Sequence, residues 1–387
     1  MVDVLVIGGG PAGMMAAIKS NRNNKKVVLI DRNETLGKKL LISGGGRCNI
    51  TNLKPNNEFM AGISDRFLYK PLGIFNAYDI VDFFNSRGVE LVEEDNNRMF
   101  PKSGKAKDIL DCLIKELNGV EIKTETVLKV EREGFGFKVT TNKEVYIAKV
   151  VVIATGGKSY PKLGATGDGY EFAKSLGHQI VNTYPMNTPI VSNDEVIQSK
   201  VLQGITLNDC LIKYKKKSYR GGLIFTHFGI SGPIVLNISK DVHFGLSKHS
   251  IVSLDLIPDE KIENLRNLFL SGGKKALYTL IPKRLVEYLL EKYGLNKNVT
   301  EVSKKNFNSF FEALKNFEIN VASLKGYDNA FITGGGVSLY DVDPKTMESK
   351  IMYNLYLVGE VLDISGITGG YNHTIALSTG YVAGYSI

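Results

Sequence analysis

Few side chains in this 387-residue chain are placed to do chemistry, and most of those sit next to glycines. His373 follows Gly369-Gly370-Tyr371-Asn372. An imidazole there can accept a proton as a hydride leaves a substrate, or it can simply face a neighbour at the start of a helix. His227 lies in a glycine-bordered loop, Gly221 to Pro233, that could overhang a bound ring or pack as a loop. Tyr371 and Tyr160 could bind substrate or fill space, and Cys48 reads as a small buried apolar residue. The three cysteines, Cys48, Cys112 and Cys210, are far apart and form no C-x-x-C pair. That argues against a dithiol reductase and a thiolate zinc site, and no metal ligand set is expected. No acid–base pair stands out, which suits direct hydride transfer.

The elements that must position these residues begin at the N-terminus. Val2 to Ile7 is an apolar run, Gly8, Gly10 and Gly13 punctuate a turn, Met14 to Ser20 reads as helix, and Val27 to Ile30 is a second apolar run closed by Asp31. This order is the dinucleotide-binding βαβ unit. Gly8 permits the turn, Gly10 lets backbone approach a pyrophosphate, and Gly13 lets the helix pack on the sheet. Asp31 stands where a carboxylate accepts bonds from ribose hydroxyls. Further on, Ser43-Gly44-Gly45-Gly46-Arg47-Cys48-Asn49 offers bare backbone donors and a guanidinium to a phosphate-bearing ligand.

Helical spacing recurs over Asp79–Gly88 and Asp108–Leu117, with Arg98 to Ser103 between them read as a loop whose exposed-looking Phe100 could face substrate but reads first as loop packing. Short strands are expected over Val120–Lys123, Thr126–Glu131, Phe135–Thr141, Glu144–Ile147 and Val150–Ile153. The last ends in Ala154-Thr155-Gly156-Gly157, and a helix is expected over Gly169–Leu176. From about Tyr184 the pattern changes. Residues 190 to 256 look β-rich and 259 to 320 helical, with one helix over Leu277–Tyr293 stopped by Gly294. The expected domains are 1–187 and 323–387 for the nucleotide, with 188–257 (β-rich, substrate-facing) and 258–322 (small and helical) inserted. A cavity is expected where the insert meets the first domain.

The chain returns to nucleotide-domain patterning with Ala330 to Val337, a strand into a glycine turn, then Leu355 to Asp363, a buried strand ending in acids, and a helix over Thr374–Ala383. A carboxylate at the end of this last strand, Asp363, suits a ribityl chain, and the following helix would point its N-terminus at a flavin pyrimidine ring. That selects FAD. No second G-x-G-x-x-G with strand and acid occurs, so NAD(P)H would visit only transiently as an electron donor.

Five strings carry a resemblance. Ser43 to Asn52, Ala154 to Pro161, Phe225 to Pro233, Thr346 to Lys350 and Gly359 to Asp363 are similar to the BaiN/RdsA family of NAD(P)/FAD-dependent oxidoreductases, which includes the aminoacetone oxidases, over essentially the whole length. The resemblance implies an α/β fold: a glutathione-reductase-type, FAD-binding Rossmann-like domain with an inserted β-barrel-like part and a small helical part. It implies non-covalent FAD along Gly8, Gly10, Gly13, Asp31, Arg32, Lys39, Gly45, Gly46, Arg47, Val127, Thr155, Gly156, Gly359, Asp363, Gly370, Tyr371 and Asn372. Two positions depart from the pattern. Asp31 stands where many relatives have glutamate, and His373-Thr374 where an apolar residue and glutamine are expected.

Composition is that of an ordinary soluble protein, 43% apolar and 23% charged, with neither leader nor membrane-length run, so a cytoplasmic location is expected. The net charge is +8 and the pI about 9.0. Lys213, Lys215, Lys216 and Lys217 near Arg220 read first as a solvated strand edge guarded by lysine, and second as an anion or nucleic-acid patch. The expected partner is a small-molecule substrate, possible amines included; nucleic acid and membrane are not expected, and oligomeric state is unassigned. The leading reading is a flavin oxidoreductase reoxidised by oxygen or another acceptor. A tRNA-modifying flavoprotein and a non-catalytic flavin sensor are the alternatives.

Overall fold

β1 (Val2–Ile7) is buried along almost its whole length, as expected of a strand with both faces covered. The computed structural model describes residues 1–22, 24–63, 65–247, 250–296 and 302–387, and divides into two units, Met1–Pro185 with Phe331–Ile387, and Met186–Ala330. In the first unit β1 leads through α1 (Pro11–Ser20), β2 (Val27–Asp31), α2 (Lys38–Ile42), β3 (Thr51–Asn52), α3 (Asn56–Ala61), α4 (Tyr69–Ile74) and α5 (Ala77–Asn85). β4 (Leu91–Glu94), β5 (Arg98–Pro101), α6 (Ala106–Glu116), β6 (Glu121–Thr124), β7 (Val127–Glu133), β8 (Gly136–Thr141), β9 (Val145–Ile153), α7 (Asp168–Ser175) and β10 (Ile180–Met186) follow.

The main sheet runs β6-β2-β1-β9-β8-β7. β2, β1 and β9 are parallel, the arrangement of a Rossmann-like fold. Two expected strands, Glu144–Ile147 and Val150–Ile153, are one strand, β9. Its first half pairs antiparallel with β8 and its second half pairs parallel with β1, and no turn residue interrupts it. The segment expected as a loop with an exposed Phe100 is β5, a central strand between β3 and β4. Met99 and Phe100 are buried there.

The second unit contains β11 (Ile190–Val191), α8 (Glu195–Gln198), β12 (Thr206–Tyr214), β13 (Lys217–Phe225), β14 (Gly229–Ser231), α9 (Pro233–Gly245), β15 (Ile251–Asp255), α10 (Ile262–Leu277), α11 (Lys283–Lys292), α12 (Lys304–Lys315), β16 (Phe317–Asn320) and β17 (Ser323–Leu324). Its sheet order is β16-β15-β12-β13-β14-β11-β17. The two end strands are separated in the chain only by Val321 and Ala322, so the sheet must curl until its edges meet, which makes it barrel-like. Strands and helices share one apolar core, in which Ile212, Phe225 and Leu254 meet Leu285, Leu289, Phe310 and Phe311.

Three expectations change here. The β-rich stretch contains α9, a helix that starts with Pro233 at its first position, where proline's missing N–H costs nothing. The single helix over Leu277–Tyr293 is two, α10 and α11, broken before Pro282. Part of the stretch read as helical, residues 297–301, lies outside the described residues. The lysine run guards no edge, because β12 is interior, paired with β13 on one side and β15 on the other.

The first unit closes with β18 (Ile332–Val337), β19 (Leu355–Leu357) and α13 (Tyr371–Ser386). β19 adds to β9 in parallel, and α13 lies on α1. A Cβ at Gly380 would stand 2.2 Å from the Ala12 carbonyl oxygen, and one at Gly384 2.4 Å from that of Ala16, so this contact is backbone on backbone. Gly→Ala in a helix ordinarily gains about 1 kcal/mol. Gly380→Ala is expected to reverse that sign and lose about 1–3 kcal/mol as the helices are forced apart, read as a lower urea midpoint; an unchanged or higher midpoint contradicts the packing.

Candidate functional site

Strand register brings the site together. Ile7 pairs with Ile30 and with Ile153, and Ile153 pairs with Leu357. Four parallel strands therefore end level, and the segments after them, Gly8–Gly10, Asp31–Arg32, Ala154–Gly156 and Val358–Gly359, leave the sheet at one edge. That edge is where open α/β sheets take ligands.

The β1–α1 turn is tight for identifiable reasons. Gly8 has φ +108°, and a Cβ there would lie 2.4 Å from the Ala154 carbonyl oxygen. At Gly13 a Cβ would lie 1.8 Å from the Gly8 carbonyl oxygen. Asp31 Oδ2 accepts from the Gly9 N–H at 2.7 Å, tying the turn to the end of β2, while Oδ1 accepts from the Asn33 backbone and side chain. The carboxylate expected to meet ribose thus already braces the glycine turn, with lone-pair capacity left over. Gly10, Gly45 and Gly156 each face open space, with no atom within 4 Å of a built Cβ. α1 starts with Pro11 and no side-chain cap, which leaves its first N–H groups for an anion. A packed turn, open glycines and an uncapped helix end fit the pyrophosphate of FAD.

All three expected cationic ligands are internally paired. Arg32 bonds Asp168, Lys39 Nζ lies 2.7 and 3.0 Å from the Glu360 oxygens, and Arg47 pairs with Glu94 and lies 4.4 Å from the Phe100 ring centre. Val127 is buried in β7. Thr155 turns its buried hydroxyl toward Gly169, whose built Cβ would be 2.0 Å away, and that hydroxyl has no partner among the described residues. The Thr155 backbone is what remains to face the open side of Gly156.

At the C-terminal element, the Gly359 N–H donates to Thr379 Oγ1 and the Asp363 N–H to the Val337 carbonyl. The Asn372 side chain both accepts from Gly366 N–H and donates to its carbonyl, holding the turn before α13 in shape. Gly370, at φ +99°, has no side chain that would hit Thr51, 2.5 Å away. The Tyr371 ring is 2% exposed and stacked on Phe59, with centres 4.5 Å apart, which is a packing position. Burial raises its phenol above the usual range, and the Glu58 charge adds to this.

His373 is half-buried on the first turn of α13. Desolvation, followed by the nearby Lys39 charge, pushes its pKa down to about 4, so the imidazole is neutral at pH 7 and a weak base. His227 belongs to the second unit, exposed and edge-on to Phe228 at 5.0 Å. Cys48 is fully buried, and desolvation pushes its thiol up to about 12 against a bond to Ser43. It has no thiolate character.

Two residues that sequence reasoning passed over complete the cluster. Glu360 Oε1 accepts from the Thr333 N–H at 2.8 Å, besides holding Lys39. Thr333 Oγ1 accepts from the Lys158 and Ser159 N–H groups at 2.7 and 3.1 Å. Glu360 directly follows Gly359 after β19, so it was readable as a strand-end acid alongside Asp363. Thr333 carried no local signal, since its partners lie at the far end of β9. Among the described residues, no group of three or more His, Cys, Asp or Glu could hold a metal ion, and no helix is long and apolar enough to cross a membrane.

The HI0933-like protein Rossmann domain profile matches residues 2–386. The ribosomal RNA dihydrouridine synthase of Haemophilus influenzae is 32% identical, over 99% of this chain and 98% of its own. The enzyme of the same name from Escherichia coli K12 is 31% identical, over 98% and 96%. The 3-dehydro-bile acid delta(4,6)-reductase of Clostridium scindens is 30% identical, over 98% and 97%. Among solved structures, the 3-ketosteroid-delta4-(5alpha)-dehydrogenase of Rhodococcus jostii RHA1 shares the fold, with a TM-score of 0.50 at 14% identity over 99% of this chain and 96% of that one. The strand ends, the glycine turn and the profile match agree, and this chain belongs to the HI0933-like Rossmann family.

Proposed function

We propose that this flavin-dependent oxidoreductase, with FAD held non-covalently, reduces a carbon–carbon double bond conjugated to a carbonyl, and that its substrate is a uracil base in RNA. The observation that carries this reading is what the relatives' names have in common. A dihydrouridine synthase and a delta(4,6)-reductase of a 3-dehydro bile acid both act, by name, on unsaturation next to a carbonyl, and both match this chain at about 30% identity over nearly its full length. The net charge of +8 favours a polyanionic substrate over a steroid. Oxidation of an amine, the other chemistry open to such a site, has no counterpart in those names.

Bound and reduced, FAD supplies a hydride from its ring. The chain's own residues do the rest. The Gly8–Gly13 turn and the first N–H groups of α1 would hold the pyrophosphate, Asp31 would take a ribose hydroxyl, Val127 would serve the adenine side, and Asp363, with the close backbone approach that Gly359 permits, would hold the ribityl chain. The start of α13 and the Lys39 ammonium together set a positive potential that stabilises negative charge on the reduced ring and on the substrate carbonyl. Hydride addition at the β-carbon leaves the α-carbon needing a proton. Lys39 Nζ, oriented by both Glu360 oxygens, donates it, while His373 stays neutral and is too weak a base to compete for it. NAD(P)H would be the transient electron donor, since the chain has one dinucleotide fingerprint.

The purified protein should be yellow and release FAD on denaturation. Gly10→Leu should lose the cofactor, because the side chain would fill the open space at the turn; full retention of FAD would count against that pyrophosphate contact. With flavin reduced anaerobically, unmodified RNA should reoxidise it and gain dihydrouridine, detected by mass spectrometry. Reoxidation only by a small conjugated ketone would keep the reaction and discard the RNA.

Lys39→Met should slow substrate reduction about 10²–10⁴-fold, the usual range for a lost general acid, while FAD content holds. In the flavin-free protein the same change should raise the His373 pKa from about 4, read by NMR titration, because a repelling charge is gone. The sign for stability follows. Between about pH 6.5 and 4 the unfolded chain binds a proton at His373 that the folded chain does not, so stability falls on acidification through that window and is full above it. His373→Asn should flatten that fall.

A further inference from the structure

The lysine run has no role in the chemistry above and does not guard a strand edge. It forms the tip of the β12–β13 hairpin, where Tyr214 pairs with Lys217 and Lys215 and Lys216 make the turn, Lys215 at φ +53°. Strand alternation sends Ile212 and Tyr214 into the core and Lys213 outward, and all four lysines are exposed. They are not neutralised. Arg220 of the same hairpin pairs with Asp209 and Asp259, whereas Lys213, Lys215, Lys216 and Lys217 have no acidic partner among the described residues. Four like charges crowded at one turn repel each other, a standing cost unless an anion meets them.

A second feature lies beside them. Tyr214 Oη donates to the Gly245 carbonyl oxygen at 2.6 Å, and Lys215 Nζ donates to the same oxygen at 3.2 Å. Gly245 ends α9, so the hairpin tip is pinned to the C-terminal end of that helix. The preceding residue, Phe244, is 69% exposed, and its ring meets His243 edge-on at 5.1 Å. A clustered cation set with a fixed, solvent-facing aromatic ring is the combination by which proteins hold single-stranded nucleic acid, charge tracking the backbone and the ring stacking on a base.

We propose that the β12–β13 tip and the C-terminal end of α9 form a docking surface for a single-stranded segment of RNA, with the four ammonium groups meeting phosphates and Phe244 stacking on a base. The proposal rests on the reading of RNA as substrate and assigns to the second unit a part in binding it. The test uses the full FAD-loaded chain and a fluorescent oligouridylate of about 12 nucleotides, within the usual site size for such surfaces, titrated across a potassium chloride series. Replacing all four lysines by serine should lower the slope of log affinity against log salt by about 3, at roughly 0.7 per phosphate for a single strand, and weaken low-salt binding at least about tenfold. Phe244→Ala should leave the slope alone and weaken binding roughly fivefold or more, the low end for one lost stack. Flavin absorbance and melting temperature should match the wild type in both variants.

Tight RNA binding with an unchanged slope in the lysine variant would overturn the docking surface and leave the RNA-substrate reading standing. No RNA binding by the wild type, with a small conjugated ketone still reduced, would remove both. An equal loss of binding to a heparin fragment, with no effect of Phe244→Ala, would make this a general polyanion patch and overturn the assignment to RNA.

Discussion

The closest backbone approach in the first unit is also the one on which its site depends. Gly13 brings α1 against the Gly8 carbonyl, Gly8 brings the turn against Ala154, and Gly380 and Gly384 bring α13 against α1. No side chain beyond hydrogen fits at any of these places. The result is a stack of two helices and a parallel sheet in which the end of β1, the end of β9 and the C-terminal half of α13 are held by main-chain contact. Main-chain contact cannot repack as side chains do, so it positions a cofactor cradle more rigidly than a side-chain interface of the same area would.

Charge is handled differently in the two units. In the first, Arg32, Lys39 and Arg47 each have a carboxylate partner, and the Lys39–Glu360 pair is further tied through Thr333 to Lys158 and Ser159. Arg32 and Lys39 are half-buried as well as partnered, so they keep a fixed direction, and their positive potential acts on the site instead of attracting stray anions. Desolvation, with the Lys39 charge adding to it, keeps the His373 imidazole uncharged. In the second unit, the lysines of the hairpin tip are exposed without acidic partners among the described residues. Fixed potential suits chemistry at one ring, and mobile exposed charge suits a flexible polyanion.

Much of this was legible in the residues. The βαβ unit was readable because an apolar run, a glycine turn, a helix and a closing acid are adjacent in the chain, so each signal supports the next. β5 and the unbroken β9 were misread because their pairing partners are remote: Phe100 is covered by β4 and β3, and β9 carries two different neighbours along one strand. Glu360 was passed over because no local pattern tells which acid after a strand finds a lysine that is hundreds of residues away in the chain. Tyr371 read as either a substrate contact or a packing residue, and the fold decides for packing, because its ring is stacked on Phe59.

What the sequence by itself determined is the local grammar: the βαβ order at the N-terminus, the glycines of its turn, the dinucleotide fingerprint and the choice of FAD through a second acidic strand end. Those properties follow from backbone sterics and period, which act over a few residues. What only the tertiary structure decided is which groups stand together and in what state. The carboxylate that holds Lys39, the neutrality of His373, and the interior position of β12 that frees its lysines from guarding an edge all depend on contacts between distant segments. Electrostatics and desolvation act through space, so their outcome is settled only once the chain has folded.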